Sequence, residues 1–191
     1  ELQAFALAAR RAGKRIALVP TMGFLHDGHA SLIDIARQRG DEVIVSIFVN
    51  PTQFGPTEDL DQYPRDFEHD CALCEAHGAT VIFAPEPEAM YAPDRSVWVD
   101  ESMLSKVLCG QSRPIHFRGV LTVVAKLFNL AQPDVAVFGR KDAQQAILIR
   151  RMVRDLNFPV EIVLGELIRD RDGVALSSRN RYLSVDERTR A

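Results

Sequence analysis

Seven residues, Val43-Ile44-Val45-Ser46-Ile47-Phe48-Val49, constrain this chain more than any other stretch. The run is β-branched and apolar but for one serine, so a strand built from it carries apolar side chains on both faces. Such a strand is stable only inside a sheet covered on both sides, the situation of parallel strands. Similar short runs recur at Arg15 to Val19, Thr80 to Ala84, Asp134 to Phe138 and Val160 to Leu164. Between them lie helical patterns: Glu1 to Arg11, Gly28 to Arg39 closed by Gly40, Pro64 to His77 stopped by Gly78, Val120 to Ala131, and Lys141 to Leu156. The Val120 to Ala131 pattern is apolar nearly all round, which predicts a helix buried on more than one side. Strands alternating with helices predict an α/β fold with a doubly wound parallel sheet. Ser96 to Val99 alternates and predicts a short edge strand, and the Asp-Gly step at Asp172-Gly173 predicts a hairpin over Arg169 to Leu176.

Composition mostly excludes. A formal net charge of −3 over 191 residues gives no global attraction for nucleic acid. No apolar run approaches the roughly 20 residues of a membrane span. The first residues form an amphipathic helix pattern without a signal peptide's order, so no membrane partner and a cytoplasmic location are expected. Three cysteines do not make a disulfide framework. His69-x-Cys71-x-x-Cys74-x-x-His77 has the residue types of a metal cluster, but on one helix these side chains spread over roughly 200°. Cys71 and Cys74 share a face with Phe67, and that face reads as core.

Four clusters carry chemistry. In Val19-Pro20-Thr21-Met22-Gly23-Phe24-Leu25-His26-Asp27-Gly28-His29 an apolar strand passes through a turn into a helix start. Unpaired N–H groups and the helix dipole suit an anion there. Gly28 lets the backbone approach a phosphate, and His26 and His29 add donors that can carry charge; the alternative is two surface histidines at a helix start. Gly139-Arg140-Lys141-Asp142-x-Gln144-Gln145 sits at a second strand-to-helix passage. Lys141 suits phosphate, Asp142 a ribose hydroxyl and Gln145 a polar substrate group, against the alternative of a charged helix cap. Ser177-Ser178-Arg179-Asn180 reads either as a mobile loop closing on a triphosphate or as a linker. Asn50-Pro51-Thr52-Gln53-Phe54 places amides at a strand end, where Asn50 and Gln53 suit a small acid or simply complete a turn. Glu58, Asp59 and Asp61 read as a solvated loop edge.

Together, Pro20-Thr21-Met22-Gly23-x-x-His26-x-Gly28-His29, Phe48 to Phe54, Gly139 to Gln145 and Ser177 to Asn180 closely resemble the pantoate–β-alanine ligases, in the family's order and over nearly the whole chain. The resemblance implies a Rossmann-like domain of the HxGH nucleotidyltransferase type. It also implies a two-step reaction: pantoate attacks the α-phosphate of ATP to give pantoyl adenylate and pyrophosphate, then β-alanine displaces AMP. Residue by residue, it assigns His26, His29, Lys141, Ser177, Ser178 and Arg179 to the ATP phosphates and catalysis, and Asp142 with the Gly139 backbone to the nucleoside. Gln53 and Gln145 would hold pantoate, with Val120, Val123 and Val124 around its methyl groups and Met22 between the acid and ATP. Asn50, Tyr63 and Arg113 are further candidates. Mg²⁺ would travel on the ATP phosphates rather than on protein side chains, and a homodimer is implied.

The chain departs from the family pattern at Ile115, where glycine is usual, which puts that loop's backbone in question if positive φ is needed. Arg140 replaces a frequent glutamate. Residues 1–175 read as the nucleotide- and pantoate-binding domain and 176–191 as a serine/arginine loop opening a lid domain, most of which would lie outside this chain. Three functions compete: the ligase, a domain that binds ATP and pantoate with little turnover, and another HxGH nucleotidyltransferase.

Overall fold

A computed structural model describes residues 1–191. In chain order it contains α1 (Leu2–Arg11), β1 (Ile16–Thr21), α2 (Asp27–Arg37), β2 (Glu42–Ile47), α3 (Phe67–Ala76), β3 (Val81–Phe83), α4 (Pro87–Met90), α5 (Cys109–Ser112), α6 (His116–Ala131), β4 (Val135–Gly139), α7 (Ala143–Asp155), β5 (Glu161–Gly165) and α8 (Val185–Arg190). The five strands form one sheet in the order β3-β2-β1-β4-β5, every neighbouring pair parallel. As its composition requires, β2 lies inside the sheet and is buried on both faces.

Alternation along the strands divides the interior. Ile16, Leu18, Ile44, Ala136 and Phe138 face α1, α6 and α7 in the larger core. Ala17, Val19, Val43, Val45, Val135 and Val137 face α2 and α3 in the smaller one. The connection leaving β1 therefore runs to one face and the connection leaving β4 to the other, although these strands are neighbours. A crevice opens at their carboxyl ends, where open α/β sheets bind ligands.

Several expectations change. Ser96 to Val99 forms no strand: the Val99 N–H donates to the Thr122 hydroxyl at 3.0 Å, so this stretch is clipped to α6 and not to a sheet edge. The α2 helix ends at Arg37 with Gln38 as its cap, and Gly40 serves a close approach instead, since a Cβ there would lie 2.8 Å from the Ala17 nitrogen. Phe67 is 54% exposed and is not core, whereas Cys74 is fully buried. Lys141 precedes the helix proper: residues Arg140–Asp142 form a 3₁₀ turn and α7 starts at Ala143. The hairpin exists as a single antiparallel bridge between Arg169 and Ala175, turning at Gly173 with φ +90°. No helix is long and apolar enough to cross a membrane.

Candidate functional site

At the end of β1 the chain turns sharply, and a buried carboxylate holds the turn. Gly23 has φ +83°, and a Cβ on it would lie 3.0 Å from both Asp70 and Ile47, so only glycine fits. Asp70, on α3 and 1% exposed, accepts the Phe24 N–H at 2.8 Å and the Leu25 N–H at 2.6 Å. The turn delivers His26 to the N-cap of α2. Its Nδ1 accepts the Gly28 N–H at 3.1 Å, and His29 Nδ1 accepts the His26 N–H at 3.3 Å. With both Nδ1 atoms accepting, a neutral ring must carry its proton on Nε2. The network thus assigns each imidazole one Nε2–H free to donate.

These rings are donors without charge. Burial, then the nearby Lys141 ammonium, pushes the His26 pKa down from its ordinary 6.5. Burial, His26 and Lys141 push His29 down to about 3. The expectation of charge-carrying histidines is therefore corrected: removal from water and a neighbouring cation both disfavour the imidazolium. Gly28 is also explained differently. A Cβ there would sit 2.9 Å from the His26 ring, so glycine is needed for the capping imidazole itself.

Two cavities meet at this point. One, of about 140 Å³, brings together Met22, Asn50, Gln53, Val120, Val123, Val124 and Gln145. The other, of about 90 Å³, is lined by His26, Gly28, His29, Gly139, Lys141 and Asp142. Pro20, His29, Phe138, Asp142 and Gln145 belong to both, so the two spaces share a wall. The valines of α6 reach the first cavity because α6 packs tightly under the 50–53 turn: a Cβ on Gly119 would lie 2.4 Å from the Thr52 carbonyl oxygen. Gln53 lies between Met22 and Asn50, donating to the Met22 sulfur at 2.9 Å and accepting from Asn50 at 3.0 Å. Asn50, 1% exposed, also donates to the Gly119 carbonyl and accepts from the Tyr91 hydroxyl at 2.8 Å. Its polar atoms are thus engaged in placing Gln53.

The serine segment lies apart from both cavities. The Ser177 hydroxyl accepts the Arg179 N–H, and the Ser178 hydroxyl donates to the Phe24 carbonyl at 3.0 Å. Arg179 makes a two-point contact with Asp59, at 2.8 and 2.9 Å, beside the rings of Phe54 and Tyr63. Glu58 pairs with Arg113, whose Nε lies 2.9 Å away. The solvated loop edge is therefore corrected: Glu58 and Asp59 are partly buried ion-pair partners, and their arginines hold both carboxyl pKa values down. A third space, about 650 Å³, lies between these two pairs. Ile115 has φ −96°, so its position requires no glycine. Arg140 pairs with Glu166 at 3.2 Å.

The pantoate-beta-alanine ligase family model matches residues 1–191. Over 191 residues the chain is 59% identical to a pantothenate synthetase of Geobacter sulfurreducens, covering 100% of this chain and 68% of that one. The chain belongs to the pantoate-beta-alanine ligase family. A crystal structure of the pantoate-beta-alanine ligase (pantothenate synthetase) from Thermus thermophilus matches with TM-score 0.92 and 50% identity, over 97% of this chain and 68% of that one. The enzyme from Francisella tularensis, solved in complex with beta-gamma ATP and beta-alanine, matches with TM-score 0.90 and 37% identity, over 97% of this chain and 72% of that one.

Within this ligase fold, sequence reasoning missed two supporting groups. Asp70 lies in a helix whose pattern is charged, and nothing local announces a buried carboxylate. His116, 9% exposed, lies within hydrogen-bond reach of the Gln53 carbonyl, 3.0 Å from its Nδ1, and of Arg113, 3.2 Å from its Nε2. The apolar, glycine-bounded approach to α6 was the available signal for His116. His69, Cys71, Cys74 and His77 form no ligand set: His77 Nδ1 lies 2.8 Å from Asp34 and His69 Nε2 lies 3.3 Å from the Leu25 carbonyl.

Proposed function

We propose that the chain catalyses ATP-dependent condensation of pantoate with β-alanine through a pantoyl adenylate. The shared wall of the two cavities carries this reading: a carboxylate in the space lined by Gln53 and Gln145 and a phosphate in the space lined by His26 and Lys141 would meet beside His29. In the first step a carboxylate oxygen bonds to the α-phosphorus as the bond to pyrophosphate breaks. The Nε2–H groups of His26 and His29, preorganised and uncharged, would donate to phosphate oxygens as charge builds. Lys141 would supply the positive charge, with Asp142 and the Gly139 backbone at the nucleoside. In the second step the amine of β-alanine attacks the acyl carbon, AMP leaves and the amine proton passes to solvent. Mg²⁺ would neutralise the triphosphate while held on its oxygens. In this reading Ser177, Ser178 and Arg179 approach the phosphates by movement of residues 176–191, the opening of a lid domain. The working enzyme is a cytoplasmic homodimer.

The test is exchange of labelled pyrophosphate into ATP. Exchange that depends on pantoate is expected, and exchange indifferent to pantoate would overturn the reading in favour of another nucleotidyltransferase. His26→Asn keeps an acceptor for the Gly28 N–H and removes the Nε2 donor, so it should slow adenylation by about 10²–10³. A change below about threefold, with chemistry rate-limiting, removes His26 from that role.

A further inference from the structure

One polar atom in the acid cavity has no partner. Ser46, the single polar residue in the apolar run of β2, is fully buried, and its Oγ makes no hydrogen bond. It is the only such buried side-chain atom in the chain. Its backbone carbonyl is engaged separately, accepting the Thr21 hydroxyl at 2.7 Å. An unmatched hydroxyl in an apolar interior is costly, and alanine in its place would remove that cost. Ser46 lines the 140 Å³ cavity together with Val120, Val124, Leu127 and Phe138.

Its position selects what it meets. The α6 helix starts beside the 50–53 turn, where Gly119 accepts from Asn50, and ends beside the start of β1, where the Asp134 N–H donates to the Ile16 carbonyl. Leu127 is thus the deep end of the valine wall, and Ser46 faces that wall from within β2. His29, Asp142 and Gln145 mark the other end, where the cavity joins the phosphate space. An acid whose carboxylate faces the phosphates therefore directs its tail toward Ser46.

We propose that Ser46 is a specificity-determining residue whose Oγ pairs with the terminal hydroxyl of the branched hydroxy acid, so that the cavity selects hydroxylated acids over alkyl acids. The assignment rests on the ligase reading and deepens it. An apolar pocket discriminates weakly between near-isosteric tails, whereas a buried hydroxyl left unpaired by the wrong ligand discriminates strongly.

The test compares the wild type with Ser46→Ala in pyrophosphate exchange, using pantoate and its analogue lacking the terminal hydroxyl, 2-hydroxy-3,3-dimethylbutanoate. Ser46→Ala removes no partner of another group, so its melting temperature should equal or exceed that of the wild type. Its KM for pantoate should rise about threefold to tenfold, the range for one hydrogen bond, with KM for ATP unchanged. The wild type should prefer pantoate over the analogue by at least that factor, and the variant should lose the preference. Pantoate-dependent exchange with the preference intact in Ser46→Ala overturns this assignment alone. Pantoate-independent exchange in the wild type overturns the ligase reading and this assignment with it.

Discussion

Substituting Asp70 by asparagine tests how the phosphate turn is held. Asp70 is 1% exposed, and its two oxygens separately accept the N–H groups of Phe24 and Leu25. Asparagine retains one oxygen without its charge and presents an amide N–H₂ where the other stood, so one backbone donor faces another donor. A hydrogen bond to a charged group contributes about 1.5–3 kcal/mol, and a buried donor left unmatched costs about 1–3 kcal/mol. Screening by solvent is slight at this depth, so a loss of about 2–4 kcal/mol is expected. For a domain of this size that corresponds to a drop of roughly 5–12 °C in melting temperature. Circular dichroism melts at pH 7 measure it. The same variant should lose pantoate-dependent exchange, because Phe24, at φ 51°, sits between the Asp70 contacts and His26. A drop below about 1 °C would refute the claim that this carboxylate holds the turn.

Three further outcomes follow from the geometry. Asp59→Asn removes the two-point contact on Arg179, and since a part-exposed ion pair holds at most ~1 kcal/mol, ATP should bind up to about fivefold more tightly by calorimetry; weaker binding would mean that Asp59 positions the arginine instead. Gly119→Ala should lower stability by about 1–3 kcal/mol in urea melts and raise KM for pantoate more than for ATP, because the new methyl drives α6 away from the Thr52 carbonyl. His29 titrates near 3 in the folded chain and near 6.5 when unfolded, so between these values the unfolded state binds the extra proton and stability falls as pH falls. Unfolding free energy should be about 2 kcal/mol lower at pH 5 than at pH 7 from this group alone, and His26 and His116, shifted the same way, add to the loss. Equal stability at the two pH values would show that the ring is solvated.

What could be read in advance depended on whether a residue's surroundings are local. Burial on both faces is written into β2 itself, and the turn after β1 is marked by its own glycines and histidines. Those features place the crevice without any long-range information. The alternation of Ser96 to Val99 says that an extended stretch has two unlike faces, but not what pairs with it; Thr122, from α6, supplies the partner. Asp70, Glu58 and Asp59 were illegible for the same reason. A carboxylate in a polar stretch reads as solvated until the fold brings Phe24, Arg113 or Arg179 to it. The charge state of the histidines likewise depends on burial and on Lys141, both tertiary facts.

The site separates fixed donors from transferable charge, and the energetics explain why. His26 and His29 are locked by backbone N–H groups at the start of α2 and carry no charge, so they add donors to a buried wall without the cost of desolvating an ion. The cations stand on the outer loops with carboxylate partners already in place: Lys141 with Asp142, Arg113 with Glu58, Arg179 with Asp59. A cation recruited from such a pair gives up a contact worth at most about 1 kcal/mol where the groups remain part-exposed. A cation held unpaired in the interior would cost the fold several times more. A triphosphate can therefore gain charge by exchanging partners on mobile loops while the rigid imidazoles keep their geometry. Loss of the fixed donors should then appear in the rate of adenylation, and loss of the loop pairs in the affinity for ATP.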